Sequence, residues 1–145
     1  MFEHILSPVD GSRHAMAALE KAVALRALSG ANLTILTVFR HHSPLEATLS
    51  LVRKDHPDNI DDIMRAHARE VAESAKARAI ALGATEARAF VRGGPVARTI
   101  VDFGKEHGVD LIVIGSRGLG SVEGFLLGSV SHKVSGIADC PVLLV

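Results

Sequence analysis

Residues 110–115, DLIVIG, form an apolar run with no polar alternation. Such a run suits a central parallel strand covered on both faces, because a half-solvated strand would alternate. Helices must then flank the sheet on both sides, and the rest of the chain supplies them. HILSPV (4–9) reads as a first strand, ended by the turn dipeptide Asp10-Gly11. From Ser12, a candidate N-cap, the spacing becomes helical: Ala15, Ala18, Leu19, Ala22 and Val23 share one face, and Gly30 closes the helix. NLTILTVF (32–39) is β-branched and apolar and reads as a second strand. Residues 40–57 read as a loop with a loose helical turn. A long helix is expected from about Asn59 to Leu82, with Ile60, Met64, His67, Val71, Ala75 and Leu82 on its inner face and Gly83 as its stop. EARAFV (86–91) reads as a third strand. Gly93-Gly94-Pro95 opens a further helix with Val96, Ile100 and Phe103 facing inward, and the last helix, near 128–138, carries Val130, Val134 and Ile137. PVLLV (141–145) reads as a final strand. This alternation predicts one domain over 1–145: an open α/β sheet with right-handed crossovers.

Composition narrows the classes of partner. Lys+Arg and Asp+Glu balance at 16 each, so the basic excess usual in nucleic-acid binders is lacking. Five Phe with no Trp or Tyr leave few platforms for stacking bases. The longest apolar stretches fall far below the roughly 18 residues of a membrane span. Glu3 and His4 stand where a signal peptide wants positive charge, and one cysteine, Cys140, cannot form an intrachain disulfide. A cytoplasmic protein with neither a nucleic-acid nor a membrane partner is expected.

The chemistry concentrates in GSRGLGSVEGFLLGS, residues 115–129, which leaves the carboxyl end of the DLIVIG strand. In doubly wound sheets, ligands bind beyond such ends where strand order reverses. The segment is not a P-loop: Gly115 to Gly120 has the spacing, but Ser121 stands where lysine is required. Nor is it a dinucleotide turn, since Glu123 occupies the third glycine position after Gly118 and Gly120. What remains is G-x2-G-x9-G-S: Gly115-Ser116-Arg117-Gly118, then Gly128-Ser129. Gly115 and Gly118 would let backbone amides approach anionic oxygens, and Gly128-Ser129 would open a helix whose N-terminus favours phosphate. The Ser129 hydroxyl adds a donor and Arg117 a positive charge. Gly120 and Gly124 are expected to serve flexibility.

This spacing, followed by VSHKV and CPVLLV, resembles the universal stress protein family in its ATP-binding branch. ILSPVDGS, LTILTVF and GGPVARTI, in the same order, extend the resemblance over essentially the whole chain. The resemblance implies an open five-stranded parallel sheet in order 3-2-1-4-5, Rossmann-like or adenine nucleotide α-hydrolase-like, with helices on both faces. It implies that Pro8 and Val9 wall a base pocket and that the backbone of Val38 meets the adenine edge. Asp10 would meet the sugar or the metal–phosphate region, through nucleotide-bound Mg2+. Gly115, Gly118, Gly128, Ser129 and Val130 would hold ribose and phosphates, beside Ser116 and Arg117. It also implies a homodimer through the apolar last strand, Val142 to Val145, whose sequence-only alternative is cover by the chain's own helices. Two positions depart from the family pattern: Ser7, where valine is common, and Ser121-Val122-Glu123-Gly124, where basic residues are common before Leu126.

The implied function is a nucleotide-dependent stress-response sensor or regulator binding ATP. A slow ATP hydrolase or phosphotransferase is a second reading, opposed by the missing lysine and by the lack of an assigned base for activating water. A protein-interaction module with no nucleotide is a third. Ser129 and His132 lie three apart and could be imagined as nucleophile and base, though no orienting acid is identified. His41, His42 and His56 read as solvated loop residues, and Cys140 as a small packed hydrophobe.

Overall fold

The computed structural model describes residues 1–41, 58–119 and 127–145. Five strands, β1 (His4–Pro8), β2 (Asn32–Phe39), β3 (Arg88–Gly93), β4 (Leu111–Ile114) and β5 (Val142–Leu144), form one parallel sheet in order β3-β2-β1-β4-β5. Four helices, α1 (Arg13–Ser29), α2 (Asp58–Ala81), α3 (Val96–Glu106) and α4 (Ser129–Ile137), connect them. Strand side chains alternate between faces, so each strand feeds two cores. Ile5, Leu33, Ile35, Leu111 and Val113 pack with α1 and α2, while Leu6, Leu36, Ile112 and Ile114 pack with α3 and α4. All four residues of β4 are buried, as its unbroken apolar run requires. No helix among the described residues is long and apolar enough to cross a membrane.

Local chemistry sets the first crossover. The Ser12 hydroxyl accepts from the Ala15 N–H at 3.2 Å and caps α1. Gly30, at φ +74°, ends it in the left-handed conformation, its N–H donating to the Arg26 carbonyl at 2.8 Å. The buried face of α1 is Ala15, Ala18, Leu19, Ala22 and Val23.

Three expectations are corrected. The third strand begins two residues later than 86–91, because Ala87 is spent in a turn, its N–H donating to the Ala84 carbonyl, and pairing starts at Thr34↔Arg88. The inner face of α2 is made of alanines: Ala68, Ala72, Ala75 and Ala79 are buried together with Ile60, Met64 and Val71 are half-buried, and His67 and Leu82 are exposed. Methyl groups make most of that contact, with Ala75 and Ala79 in the core beside β1 and β2 and Val71 packed against it. On α4, Ser131 and Val134 are buried and Ile137 is exposed. The expected loop over 40–57 lies outside the described residues except at Arg40 and His41.

The junction of β1 and β4 is fastened by Asp110. Its carboxylate accepts from the N–H groups of Glu3 and His4, each at 2.9 Å, and its own N–H donates to the His4 carbonyl at 3.0 Å. Burial opposes the charged form, but these backbone N–H groups and the neighbouring His4 outweigh it and hold the carboxyl below its usual range. His4 extends the junction, with Nδ1 2.9 Å from the His107 carbonyl and Nε2 2.7 Å from the Thr34 hydroxyl. A carbonyl can only accept, so Nδ1 carries a proton toward His107.

Two outcomes follow from this packing. Ala75→Leu should destabilise the fold by about 1–3 kcal/mol, as overpacking does, while Ala77→Leu on the exposed face should stay within about 0.5 kcal/mol, both read by urea denaturation. Asp110→Asn should destabilise at neutral pH. A carboxyl whose folded pKa is depressed contributes stability above its unfolded value, near 3.9, and loses it as pH falls through the folded value. The gap between wild type and variant should therefore close below about pH 4 in a pH series of melting curves.

Candidate functional site

Strand order reverses between the parallel neighbours β1 and β4: from β1 the chain builds out through β2 to β3 at one edge, and from β4 to β5 at the other. The carboxyl ends of β1 and β4 open a cleft between the β1–α1 turn and the segment after β4, where such folds hold ligands. The cavity there is about 300 Å³. Apolar side chains of Pro8, Val9, Leu36, Val38 and Ile114 come from the strand ends, and Val96 and Ile100 from α3. Polar and backbone-rich contributions come from Asp10, from Arg117 and Gly118, and from Gly128 to Ser131 at the start of α4.

The glycine segment is built by close approach. A Cβ on Gly115 would lie 2.7 Å from the His14 carbonyl carbon and 2.8 Å from the Ala15 nitrogen, so β4 can end against the first turn of α1 only with glycine there. A Cβ on Gly118 would lie 2.7 Å from Asp10 Oδ2, and one on Gly128 3.3 Å from Arg117 Cα. The glycines thus meet protein first. They draw β1, the turn after β4 and the start of α4 into contact.

Hydrogen bonds fix this arrangement. Asp10 spends both carboxylate oxygens on backbone: Oδ1 accepts from the Ser12 N–H at 2.9 Å and Oδ2 from the Leu119 N–H at 3.2 Å. The Ser116 carbonyl accepts from the Gly128 N–H at 2.6 Å and the Ser131 hydroxyl at 2.8 Å, while its N–H donates to Val145 at 2.7 Å. Gly128 stands at the N-cap of α4 with no side-chain cap, so first-turn N–H groups of α4 face the cleft without intrahelical partners. With the helix dipole they make that end attractive to an anion.

Ten of the eleven residues singled out from the sequence line this one cavity: Pro8, Val9, Asp10, Val38, Gly115, Arg117, Gly118, Gly128, Ser129 and Val130. Ser116 does not, and its backbone instead ties the turn to α4 and β5. Leu36, Arg40, Val96, Ile100, Ile114 and Ser131 also line it. Arg40 was legible only as the cation following β2, and the others carry apolar or helical signals indistinguishable from core. Gly120 and Ser121 to Gly124 lie outside the described residues, as do His42 and His56. His41 Nδ1 lies 3.2 Å from Asp61 Oδ2, and its ring meets Phe39 edge-on. No hydrogen bond joins Ser129 to His132 among the described residues. Ser7 and Thr37 are buried on the face turned toward α1 and α2, away from the cavity wall formed by Pro8, Leu36 and Val38. Cys140 packs half-buried against the core beneath α3 and α4. Burial, with the Asp110 and Asp139 carboxylates, pushes its thiol up and away from the reactive thiolate.

Comparison with known proteins agrees with this architecture. The model of the universal stress protein family matches residues 1–145. The universal stress protein YxiE of Bacillus subtilis is 37% identical over 148 residues, spanning 100% of this chain and 99% of its own. Among solved structures, the universal stress protein UspA of Lactobacillus plantarum superposes with a TM-score of 0.84 at 29% identity, covering 99% of this chain and 97% of that one. A universal stress protein solved in complex with cAMP superposes with a TM-score of 0.75 at 26% identity, covering 99% and 97%. With the sheet order and the full-length family match in agreement, this chain belongs to the universal stress protein family.

Proposed function

We propose that the cleft binds an adenine nucleotide, ATP in the first instance, and that the protein acts as a nucleotide-dependent stress-response regulator. The observation that carries this reading is the union, around one cavity, of an apolar wall with the uncapped N-terminus of α4 and the Gly115–Gly118 turn. Pro8, Val38 and the neighbouring apolar groups suit a flat purine, with the Val38 backbone at its polar edge. The start of α4, the Ser129 hydroxyl and Arg117 suit phosphates. That a structurally similar family member has been solved with cAMP supports the choice of adenine.

A nucleotide-bound Mg2+ fits less tightly than the nucleotide. Asp10 is the carboxylate lining the cavity, and each of its oxygens already accepts one backbone N–H. A carboxylate offers about four lone-pair sites, so capacity remains for one further contact. Asp10 therefore has a positioning role first, holding the β1–α1 turn to the glycine turn, and any metal contact comes second. Binding without rapid turnover is the expected behaviour: Ser121 replaces the P-loop lysine, and no acid orients His132 among the described residues.

We further infer a homodimer through Val142 to Val145. β5 is a sheet edge, pairing only with β4, and Leu143 is 39% exposed on it. An apolar edge is stabilised by pairing with another chain.

Calorimetry with MgATP should give saturable binding; no heat at millimolar ATP would overturn the reading. Gly118→Val should lower ATP affinity about tenfold or more, since the added carbons displace the Asp10 carboxylate and the turn with it. Unchanged affinity would move the site elsewhere. For the dimer, Leu143→Asp should convert a two-fold species to monomer in analytical ultracentrifugation, while a monomeric wild type would refute it.

A further inference from the structure

The chain carries no net charge, yet its cations are unevenly distributed. A second groove, about 910 Å³, runs between the start of α3 and the length of α4, from Ser129 to Ile137. Arg40, Arg98 and Lys133 line it, with His41 and His132, and no carboxylate is among its described lining residues. The nearest pairings are weak or peripheral. Arg98 lies 3.8 Å from Asp102, with both side chains at least half exposed, and Asp61 meets His41 from α2. A pair of that geometry and exposure leaves most of the positive potential in place.

The groove is continuous with the cleft. Arg40, Val96, Ser129 and Val130 line both, so a ligand long enough to extend from the first cavity past Ser129 reaches the second. Gly94, Pro95 and Gly136 give part of the groove a lining with little side-chain bulk, where a chain can lie close to the backbone. No Phe is among its described lining residues, so bases would find little there to stack on, whereas phosphates would meet the cations Arg40, Arg98 and Lys133.

We propose that this groove binds a polyphosphate chain continuing from the nucleotide in the first cavity, so that the preferred ligand class is an adenosine polyphosphate with more than three phosphates. The inference rests on the nucleotide reading for the placement of the adenosine. Arg98 and Lys133 are the discriminating residues, since they line the groove and not the first cavity. Arg40 stands at the passage between the two.

Calorimetry on the full chain tests this with AMP, ATP, adenosine 5'-tetraphosphate and inorganic tripolyphosphate. The tetraphosphate should bind about tenfold tighter than ATP, as two further charge-assisted contacts allow, with a steeper loss on raising salt. The double variant R98Q/K133Q should bring it down to the affinity of ATP and leave AMP and ATP unchanged. Both positions are exposed, so the melting temperature should hold and report that the variant is folded. Equal affinity for ATP and the tetraphosphate in wild type would overturn the proposal, as would a tetraphosphate advantage that survives the double variant. If no adenine ligand binds while tripolyphosphate binds through Arg98 and Lys133, the groove stands as a phosphate site and the nucleotide reading falls. If neither binds, both fall.

Discussion

Everything at the cleft follows from the pairing of β1 with β4, which rests on two registered residue pairs, Ile5↔Leu111 and Leu6↔Ile112. These strands are separated by more than one hundred residues of chain, yet they must lie side by side for the sheet to grow toward both edges. Local structure cannot enforce such a contact, so it is made by burial and by one charge. Ile5, Leu6, Leu111 and Ile112 are nearly inaccessible, and the Asp110 carboxylate fastens the two strands where they begin. The carboxyl ends are thereby brought to one place, with Asp10 at the end of one strand and Gly115 at the end of the other.

From that point the glycine segment behaves as a joint. Three glycines allow three approaches: β4 to α1, the following turn to Asp10, and the start of α4 back to the turn. Ser116 then binds the pieces through both its N–H and its carbonyl. A cradle made this way presents backbone amides in a fixed arrangement, and fixed donors lose little freedom when an anion arrives. The loop reading of the same residues, in which glycine only confers mobility, overlooks that each missing Cβ is replaced by a neighbouring atom.

Legibility followed the strength of local signals. β2 was readable to its ends because Asn32 to Phe39 is β-branched, apolar and bounded by breakers. α1 was readable because its cap, its face and its terminal glycine agree. The site was readable because a glycine spacing survives as a pattern even without knowledge of the fold, and the family resemblance joined it to Asp10 and Val38. Its remaining walls were not. Ile100 and Ile114 are apolar residues that any core would claim, and only the open end of the sheet turns them toward a ligand. The face of α2 was misjudged for the opposite reason, since side-chain size was taken as the mark of burial where methyl groups make most of the contact.

That alanine face has a mechanical consequence. Leucine or phenylalanine would interlock with the strands and set the position of the helix turn by turn. Methyl groups present a nearly smooth surface, so α2 draws cohesion from contact area but little resistance to sliding along its own axis. Its axial register must then be set by the few larger contacts along it. Ile60 is buried near one end, where Arg65 also lies 5.0 Å over the Phe39 ring. At the other end, the turn at Gly83, φ +108°, drops Ala84 into the core. Between them Val71 packs against the core and Arg78 reaches Glu20 of α1 at 2.8 Å, so the helix is indexed at a few points along an otherwise plain rail.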